Sequence, residues 1–523
     1  MNIFLPQFCS LCIILLLSML AQHYFSYILM LIFLVISSPY GESFVFTTEP
    51  VLPIDTIYYY LRLPFSFFMQ NASVSIDYLY GFQNEQFKFF IFLFWISLTI
   101  TIILVKRHRK HRKILIPIFS WIVVVSLCMS YLPQSMLRPN RQWNKDNYDY
   151  TYYITHKNDE MKCEEVPYTI TKYKMNYNIT NQLYAEGTIH IESQNKQKDF
   201  VFTLYQKYKI EKLESTNEIQ SYEQVGDYIY ITFKDNIKSA DISIAYKGYH
   251  DRLYSNHQAV LLPGYFAWYP MAGKKILYSD FDAQRIALYG YNATNKIEPA
   301  YFDIQVNSQC DIITNLKESN HHYTGISDGL TMIGGTTKKT KNDLFINYYP
   351  GELYIDYQYD EMIKEWQDTY DKMIGQLKNV YFLDTDFLEN KKIIVLPSKL
   401  TYIATFGEIA IFDDYILMTS DHICDIQSIF RYLIIKDDHL TMLKELFMLS
   451  FDKESSKEFL NEFENSILIN ELSPLLKSFS QLHKEIGDET MMKELVQYVI
   501  GNSSYKDDES FIEGVRSKYV KNQ

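Results

Sequence analysis

The sequence predicts a multidomain chain: an α-helical transmembrane region, then an all-β sandwich-like domain, then an α+β domain with a helical C-terminal half. Three observations predict it. Long uncharged apolar runs are confined to the first 132 of the 523 residues. From about Thr169 to Val306 apolar residues recur with a period of two, and after about Gly335 with the period of a helix.

The transmembrane expectation starts from "VKRHRKHRK", Val105 to Lys113, which packs six Lys/Arg and two His into nine residues. Such basic runs serve nucleic acids or mark a membrane's cytoplasmic face. The neighbours decide between them. "FFIFLFWISLTITIILV" (Phe89 to Val105) precedes the run and "ILIPIFSWIVVVSLCMSYL" (Ile114 to Leu132) follows it, both uncharged. Each is about as long as a span of the hydrocarbon core. A basic loop between two spans is the positive-inside signal, so Lys106, Arg107, Arg109, Lys110, Arg112 and Lys113 are expected to set the topology from the cytoplasmic side. Beyond residue 132 the chain holds 42 Lys/Arg against 57 Asp/Glu. An acidic body repels phosphate backbones, which argues against nucleic acid.

The N-terminus carries no charge from Ile3 to Ser38. As one helix this would be roughly 54 Å long, more than an untilted span needs. One long tilted helix, or a pair broken near "AQHYFS" (Ala21 to Ser26), both fit. A cleaved signal peptide is disfavoured, since no Lys or Arg precedes the apolar run. Residues 1–132 are therefore expected to form three spans, or four. Residues 39–86 and everything after Leu132 would lie outside the cell.

Residues 133–165, rich in Pro, Asn and charge, read as a stalk. In "TKYKMNYNI", Tyr173, Met175, Tyr177 and Ile179 alternate with Lys172, Lys174, Asn176 and Asn178, a strand with one wet face. "GTIHIES", "DFVFTLYQ", "DYIYITFK", "ADISIAYKGY" and "AYFDIQV" follow, with "SQNKQK" and "KDNIKS" as polar turns. Residues 166–336 are thus expected to be a β-rich antiparallel domain. In residues 337–523, Met362, Ile363, Trp366, Tyr370, Met373, Ile374 and Leu377 make a helical stripe. "KKIIVLP" reads as a buried strand and "EIAIFDDYILMT" as a hairpin around Asp413 and Asp414. Leu440, Leu443, Leu446, Phe447 and Phe451 then form a second helical stripe.

The run "YKMNYNITNQLYAEGTIHIESQNKQKDFVFTLYQKYKIEKL" resembles the opening of the saddle-shaped β domain of aminopeptidase-N-like zinc metallopeptidases (gluzincins). "AVLLPGYFAWYPMAG" (Ala259 to Gly273) is similar to that domain's Trp/Tyr-Pro segment. The elements through "FGEIAIFDDYILMTS" are similar to the start of the family's thermolysin-like catalytic domain. The membrane part, with "IDTIYYYLRLPFSFFMQ" (Ile54 to Gln70), resembles the last spans of permease proteins of bacterial ATP-driven (ABC) transporters.

The resemblance implies a zinc site of the form His-Glu-x-x-His, in which two His grip one metal from a helix face and Glu activates the water. None of the twelve His here is followed by Glu, and no two are spaced four apart. The family's Gly-x-Met-Glu-Asn loop is represented at best by "FGEIAI", with Glu408 its one acid. A degenerate thermolysin-like domain follows as the expectation, with no catalytic residue, cofactor or metal. His422, His439 and Glu445 could form an irregular metal site, as could the adjacent His321 and His322, against the plainer reading of solvated surface side chains. Asp360-Glu361 and Asp413-Asp414 read as turn and capping acids. Cys163, Cys310 and Cys424 do not make a disulfide framework.

The expected function is a non-catalytic, permease-type component of an ATP-driven transporter in the cell membrane, with a large extracellular C-terminal part. A second permease subunit or a homodimer, and a cytoplasmic ATPase, are the implied partners. The alternatives are a membrane-bound metallopeptidase with an eroded site and a solitary surface sensor or adhesion protein.

Overall fold

The computed structural model describes residues 4–20, 24–37, 64, 86–106, 112–131, 152–153, 166–250, 253–282, 285–288, 297–335, 345–347, 356–396, 409–419, 426–434, 441–447, 455–469 and 473–520. Four apolar helices come first: α1 (Phe4–Leu20), α2 (Tyr24–Ser37), α3 (Gln86–Lys106) and α4 (Arg112–Tyr131). The uncharged N-terminus is therefore two helices rather than one. Cys9 and Ile13 of α1, Phe33 of α2 and Phe92 and Trp95 of α3 form a common core, with Phe33 edge-on to Trp95 at 6.1 Å. Hydroxyls in these helices bond back to carbonyls three or four residues earlier, as Thr99 to Trp95 (2.8 Å) and Ser126 to Ile122 (2.6 Å). That local bond satisfies a polar group in apolar surroundings. On the outer faces Phe4, Phe8, Leu11 and Leu15, and Ile114, Ile118, Trp121 and Val125, are exposed.

The expectation of three or four spans is corrected at this point. Among the described residues one helical stretch, Lys88–Lys106, has the length and apolarity to cross a membrane, with a mean hydropathy of 2.3. The apolar lengths Gln7–Met19 and Ile114–Ser130 are shorter. At 1.5 Å per residue, the 14 residues of α2 reach only about 21 Å, against a hydrocarbon core of about 30 Å.

The β-rich part is a nine-stranded sheet. It is built from β1 (Tyr168–Ile179), β2 (Leu183–Thr203), β3 (Lys209–Ser215), β4 (Ile219–Val225), β5 (Tyr228–Gly248), β7 (Met271–Ala272), β10 (Ala300–Ser308), β12 (Lys317–Ser319) and β13 (His322–Ser327). A three-stranded sheet joins β6 (Val260–Leu262), β11 (Ile312–Thr314) and β14 (Met332–Gly334), and β8 (Tyr278–Asp282) pairs with β9 (Arg285–Leu288). In β1 the alternation holds: Tyr173, Met175, Tyr177 and Ile179 are buried, Lys172, Lys174, Asn176 and Asn178 exposed.

Two expectations fail here. "SQNKQK" and "KDNIKS" are not turns; each lies inside a 21-residue strand, β2 and β5, which pair with each other through register shifts between Glu192 and Asp199. Their polarity mimics a turn, yet the backbone runs on extended through both, and Gln197 of one faces Ile237 of the other. The sheet is also mixed rather than antiparallel, because β10 runs parallel to β1, with Met175 opposite Ile304.

Residues 259–271 are buried without a break and pack on the sheet's inner face. The Trp268 ring sits 5.3 Å from Tyr177, and Tyr173 stacks on Phe302 at 4.7 Å. Buried carbonyls need donors. Tyr173 supplies one to Pro270 (2.8 Å) and Tyr246 one to Trp268 (3.2 Å).

The last part sets β15 (Phe345–Asn347), β16 (Lys392–Leu396), β17 (Ile409–Ile411) and β18 (Tyr415–Thr419) in one sheet of order β15-β16-β18-β17. Strand β16 is parallel to β15 and β18, while β17 and β18 form the expected hairpin. Around it lie α5 (Asp356–Asn379), α6 (Ile426–Ile434), α7 (Met442–Phe447), α8 (Ser456–Ile469), α9 (Ser473–Ile486), α10 (Asp488–Val499) and α11 (Asp508–Tyr519). Ile394, Ala410, Phe412, Tyr415 and Leu417 belong to the same core as the inner face of the large sheet. A helical transmembrane region followed by an all-β domain is therefore not the fold class: two mixed sheets share a core, preceded by apolar helices of which one has the length of a span.

A second core gathers the helices. Tyr370, Met373 and Leu377 of the predicted stripe are buried in it, Trp366 and Ile374 only partly, and Met362 and Ile363 have side chains outside the described set. Leu443, Leu446 and Phe447 are buried, while Leu440 and Phe451 lie outside the described residues. Phe447 sits 4.9 Å from both Phe430 and Phe459. Phe447→Ala should cost about 3–5 kcal/mol in a denaturation curve. Trp366→Ala, made on a half-buried ring, should cost less than half as much.

Candidate functional site

Three groups of ionisable side chains lie between elements, and their geometry separates fastening from chemistry. In the first, His483 of α9 has Nδ1 2.8 Å from Glu464 Oε1 on α8 and Nε2 2.7 Å from Asp488 Oδ1, the first residue of α10. Ser480 donates to the other Glu464 oxygen at 2.6 Å. A ring engaged at both nitrogens has none left for a metal or a substrate proton. This group is a fastening between helices.

The second group joins α7 to α10 and α11. The Lys444 ammonium, 2 % exposed as a residue, lies 5.3 Å from the Tyr498 ring. The Tyr498 hydroxyl is 2.8 Å from Asp508 Oδ1, whose other oxygen accepts the Leu443 N–H at 3.2 Å. These bonds tie a six-residue helix to two longer ones.

The third group, where the large sheet meets the β17–β18 hairpin, is the candidate site. The loop from β13 into β14 supplies Ser327, Asp328, Gly329 and Thr331; the segment after β11 supplies Asn315; the hairpin turn supplies Asp413, Asp414 and Tyr415. The chain can come this close because two glycines are present. A Cβ on Gly264 would stand 2.4 Å from the Tyr415 hydroxyl, and one on Gly329 would stand 2.5 Å from the Phe412 ring. Those two rings stack at 4.2 Å. The Thr331 and Tyr415 hydroxyls are 2.7 Å apart, and Thr331 Oγ1 also accepts the Gly264 N–H at 2.8 Å.

Around this stack the acids are unevenly placed. Asp328 accepts the Asp413 N–H at 2.9 Å. Burial, then the neighbouring charges of Asp413 and Asp414, push its carboxyl up to about 6, with the Asp413 N–H opposing them. Asp414 contacts Ser327 Oγ (2.6 Å) and Asn315 Nδ2 (3.2 Å) and is raised mainly by burial, which those bonds and the charge of Lys392 oppose. The Lys392 ammonium donates to Asn315 O at 2.8 Å. A carboxyl that titrates near 6 beside a neutral hydroxyl cluster can take up and release a proton near physiological pH.

The residues singled out from sequence fare differently. Asp413 is indeed an exposed turn acid, but Asp414 faces inward and bonds across to the sheet. His321 and His322 are exposed on the β12–β13 hairpin, where Asn320 and His321 take φ of 52° and 60° and His322 pairs with Asp303 at 2.6 Å. They do not converge on a metal. Glu445 is exposed on α7, and His422, His439 and Glu408 lie outside the described residues. Glu361 is exposed on α5; the Asp360 side chain is outside the described set. Lys106 ends α3 and donates to Met19 O of α1. Arg107, Arg109 and Lys110 are outside the described residues, and Arg112 and Lys113 open α4. Cys310 is free and contacts His257 O at 3.1 Å, while Cys163 and Cys424 are not described. Among the described residues no group of three His, Cys, Asp or Glu is arranged to hold a metal ion.

Two variants test the junction. Gly329→Ala should lower stability by about 1–3 kcal/mol, since its Cβ overlaps the Phe412 ring. Asp328→Asn tests the charge. An acid raised from near 4 to about 6 contributes stability that is fully present below pH 4 and lost as pH rises through 6. The variant should therefore melt higher than the parent above pH 7 and lose the part of the pH dependence between 4 and 6, read by thermal denaturation across pH.

No family model and no curated protein matches this sequence. Among solved structures the chain is similar to an M1 zinc metallopeptidase from Deinococcus radiodurans, at 10% identity over 69% of this chain and 92% of the other, with a TM-score of 0.36. It is also similar to an aminopeptidase A from Legionella pneumophila, at 11% identity over 69% of this chain and 49% of the other, with a TM-score of 0.38. The structural neighbours of the chain are thus aminopeptidase-like. The structures it is similar to are peptidases by name, where the sequence led to the expectation of no enzyme.

Proposed function

We propose that this protein is a membrane-attached, peptidase-like protein that acts on peptides. One observation carries the reading: the order of the elements. A large sheet with an apolar segment seated on its inner face is followed by a long helix, a parallel strand pair, a hairpin and a helical half. That is the order implied by the sequence resemblance to aminopeptidase-N-like proteins. Attachment is supported by Lys88–Lys106, the stretch with the length and apolarity of a span, which ends at the basic run Lys106 to Lys113.

Proteins of that family use zinc. The described residues do not form a site that fits it. What this chain's own residues supply is the acidic junction beside the hairpin, in which Asp328 and Asp414 are half-buried.

A permease-type role, working with a second membrane subunit or a second copy and a cytoplasmic ATPase, is supported by the likeness of Ile54 to Gln70 and the following apolar stretches to transporter permeases. Recovery of such partners from native membranes in mild detergent tests it.

The peptide reading is tested on the full chain in detergent or nanodiscs, with peptide libraries carrying free or acetylated amino termini, with and without added zinc. Retention or trimming of the free-ended peptides is expected. Neither retention nor trimming under any condition would overturn the reading. A reporter fused before Gln86 should lie outside and one after Lys110 in the cytoplasm; both on one side would remove the crossing.

A further inference from the structure

The hydrogens at the junction do not suffice for its contacts if Asp414 is ionised. Ser327 Oγ carries one hydrogen and lies 2.6 Å from Asp414 Oδ1 and 2.7 Å from Gly329 O. A carbonyl has no hydrogen to give, and neither has a carboxylate. Asn315 cannot make up the difference. Its Oδ1 accepts the Thr331 N–H at 3.0 Å, which fixes the orientation of the amide. Its two Nδ2 hydrogens are shared among Ser327 Oγ (3.0 Å), Gly329 O (3.0 Å) and Asp414 Oδ2 (3.2 Å). The Gly329 N–H points to Ser327 Oγ at 3.2 Å, so it supplies neither short oxygen pair. With an ionised Asp414, one of the two oxygen–oxygen contacts has no hydrogen in it and is repulsive.

We propose that Asp414 is held as a neutral carboxylic acid that donates to Ser327, and that loss of this proton is a built-in switch loosening the hairpin from the large sheet. In the closed form Asp414 gives its hydrogen to Ser327 Oγ, and Ser327 gives its own to Gly329 O. Every short contact then contains one hydrogen. When the proton leaves, Ser327 can serve either Asp414 or Gly329, and the other contact opens.

The charges facing Asp414 bear on this in both directions. The charges of Asp328, from the sheet loop, and Asp414 oppose each other. Lys392, whose ammonium is bound to Asn315 O, opposes the neutral form. The Lys391 ammonium is bound to Phe412 O at the edge of the same turn. Tyr415 and Tyr269 are fully buried and neutral, with hydroxyls bonded to Thr331 and to Gly264 O. Burial of the carboxyl is the largest effect and favours the neutral form.

The test uses the full chain in detergent. Hydrogen–deuterium exchange of residues 327–331 and 409–419 is compared between wild type and Asp414→Asn at matched pH, which cancels the intrinsic pH dependence. Wild-type protection should fall as pH rises, by about tenfold for each unit between the carboxyl's pKa in the closed and open forms. Asp414→Asn keeps a neutral group with an N–H donor toward Ser327, so its protection should stay flat. An infrared carbonyl band of a protonated carboxyl at neutral pH should be present in wild type and in Asp328→Asn and absent from Asp414→Asn. Equal pH dependence of exchange in wild type and Asp414→Asn would overturn the proposal. Should Asp414→Asn fail to fold, absence of the band from both wild type and Asp328→Asn would overturn it as well.

Discussion

Residues 259–271 impose the constraint on which the described architecture downstream of the helices depends. Thirteen consecutive residues are driven out of water by their side chains, and their peptide groups go with them. Removing peptide groups from water without replacing their hydrogen bonds costs more than burial of the side chains returns. The sheet meets this cost with tyrosines: the Tyr173 and Tyr246 hydroxyls reach the carbonyls of Pro270 and Trp268, and the Tyr205 N–H reaches Ala267 O. The chain's wealth of tyrosine thereby has a structural use. Each ring adds apolar area to the core, and each hydroxyl provides a donor at the far end.

The same segment brings the two sheets together. Gly264 is the point at which its backbone comes close to Tyr415, and the loop before β14 closes over it with Gly329 against Phe412. Without side chains at these two positions the hairpin of one sheet enters the core of the other. The acids are drawn in as a consequence. Asp414 follows Asp413 in a tight turn, and with Tyr415 buried and Asp413 exposed, Asp414 is left facing the sheet loop. Proton-linked behaviour at this junction therefore arises from packing.

Elsewhere charge serves to fasten. His483 spans Glu464 and Asp488 with both nitrogens, and Asp507 caps α11 by accepting the Ser510 N–H at 2.7 Å. These arrangements hold short helices in fixed relation around Phe447 and Phe459, where propensity alone would leave helices of this length marginal. The junction differs in containing more acceptors than hydrogens, and that imbalance is what makes its protonation matter.

Much of this molecule was legible in the order of its residues. The alternation in Lys172 to Ile179 marks a strand with one wet face, the stripe through Tyr370, Met373 and Leu377 marks a helix against a core, and the uncharged runs mark apolar helices. Each signal is local, set by the period at which side chains leave the backbone. The sequence could not say that "SQNKQK" and "KDNIKS" would continue as strands, that β10 would run parallel beside β1, or which of its two readings of the N-terminal apolar run, one helix or a broken pair, would hold. Nor could it say that Ser327 and Asp414, 87 residues apart, would meet while His321, His322 and Glu445 stayed apart at the surface. Those outcomes depend on which distant groups share a volume, and a polar residue turns, pairs or titrates according to the partner that packing brings to it.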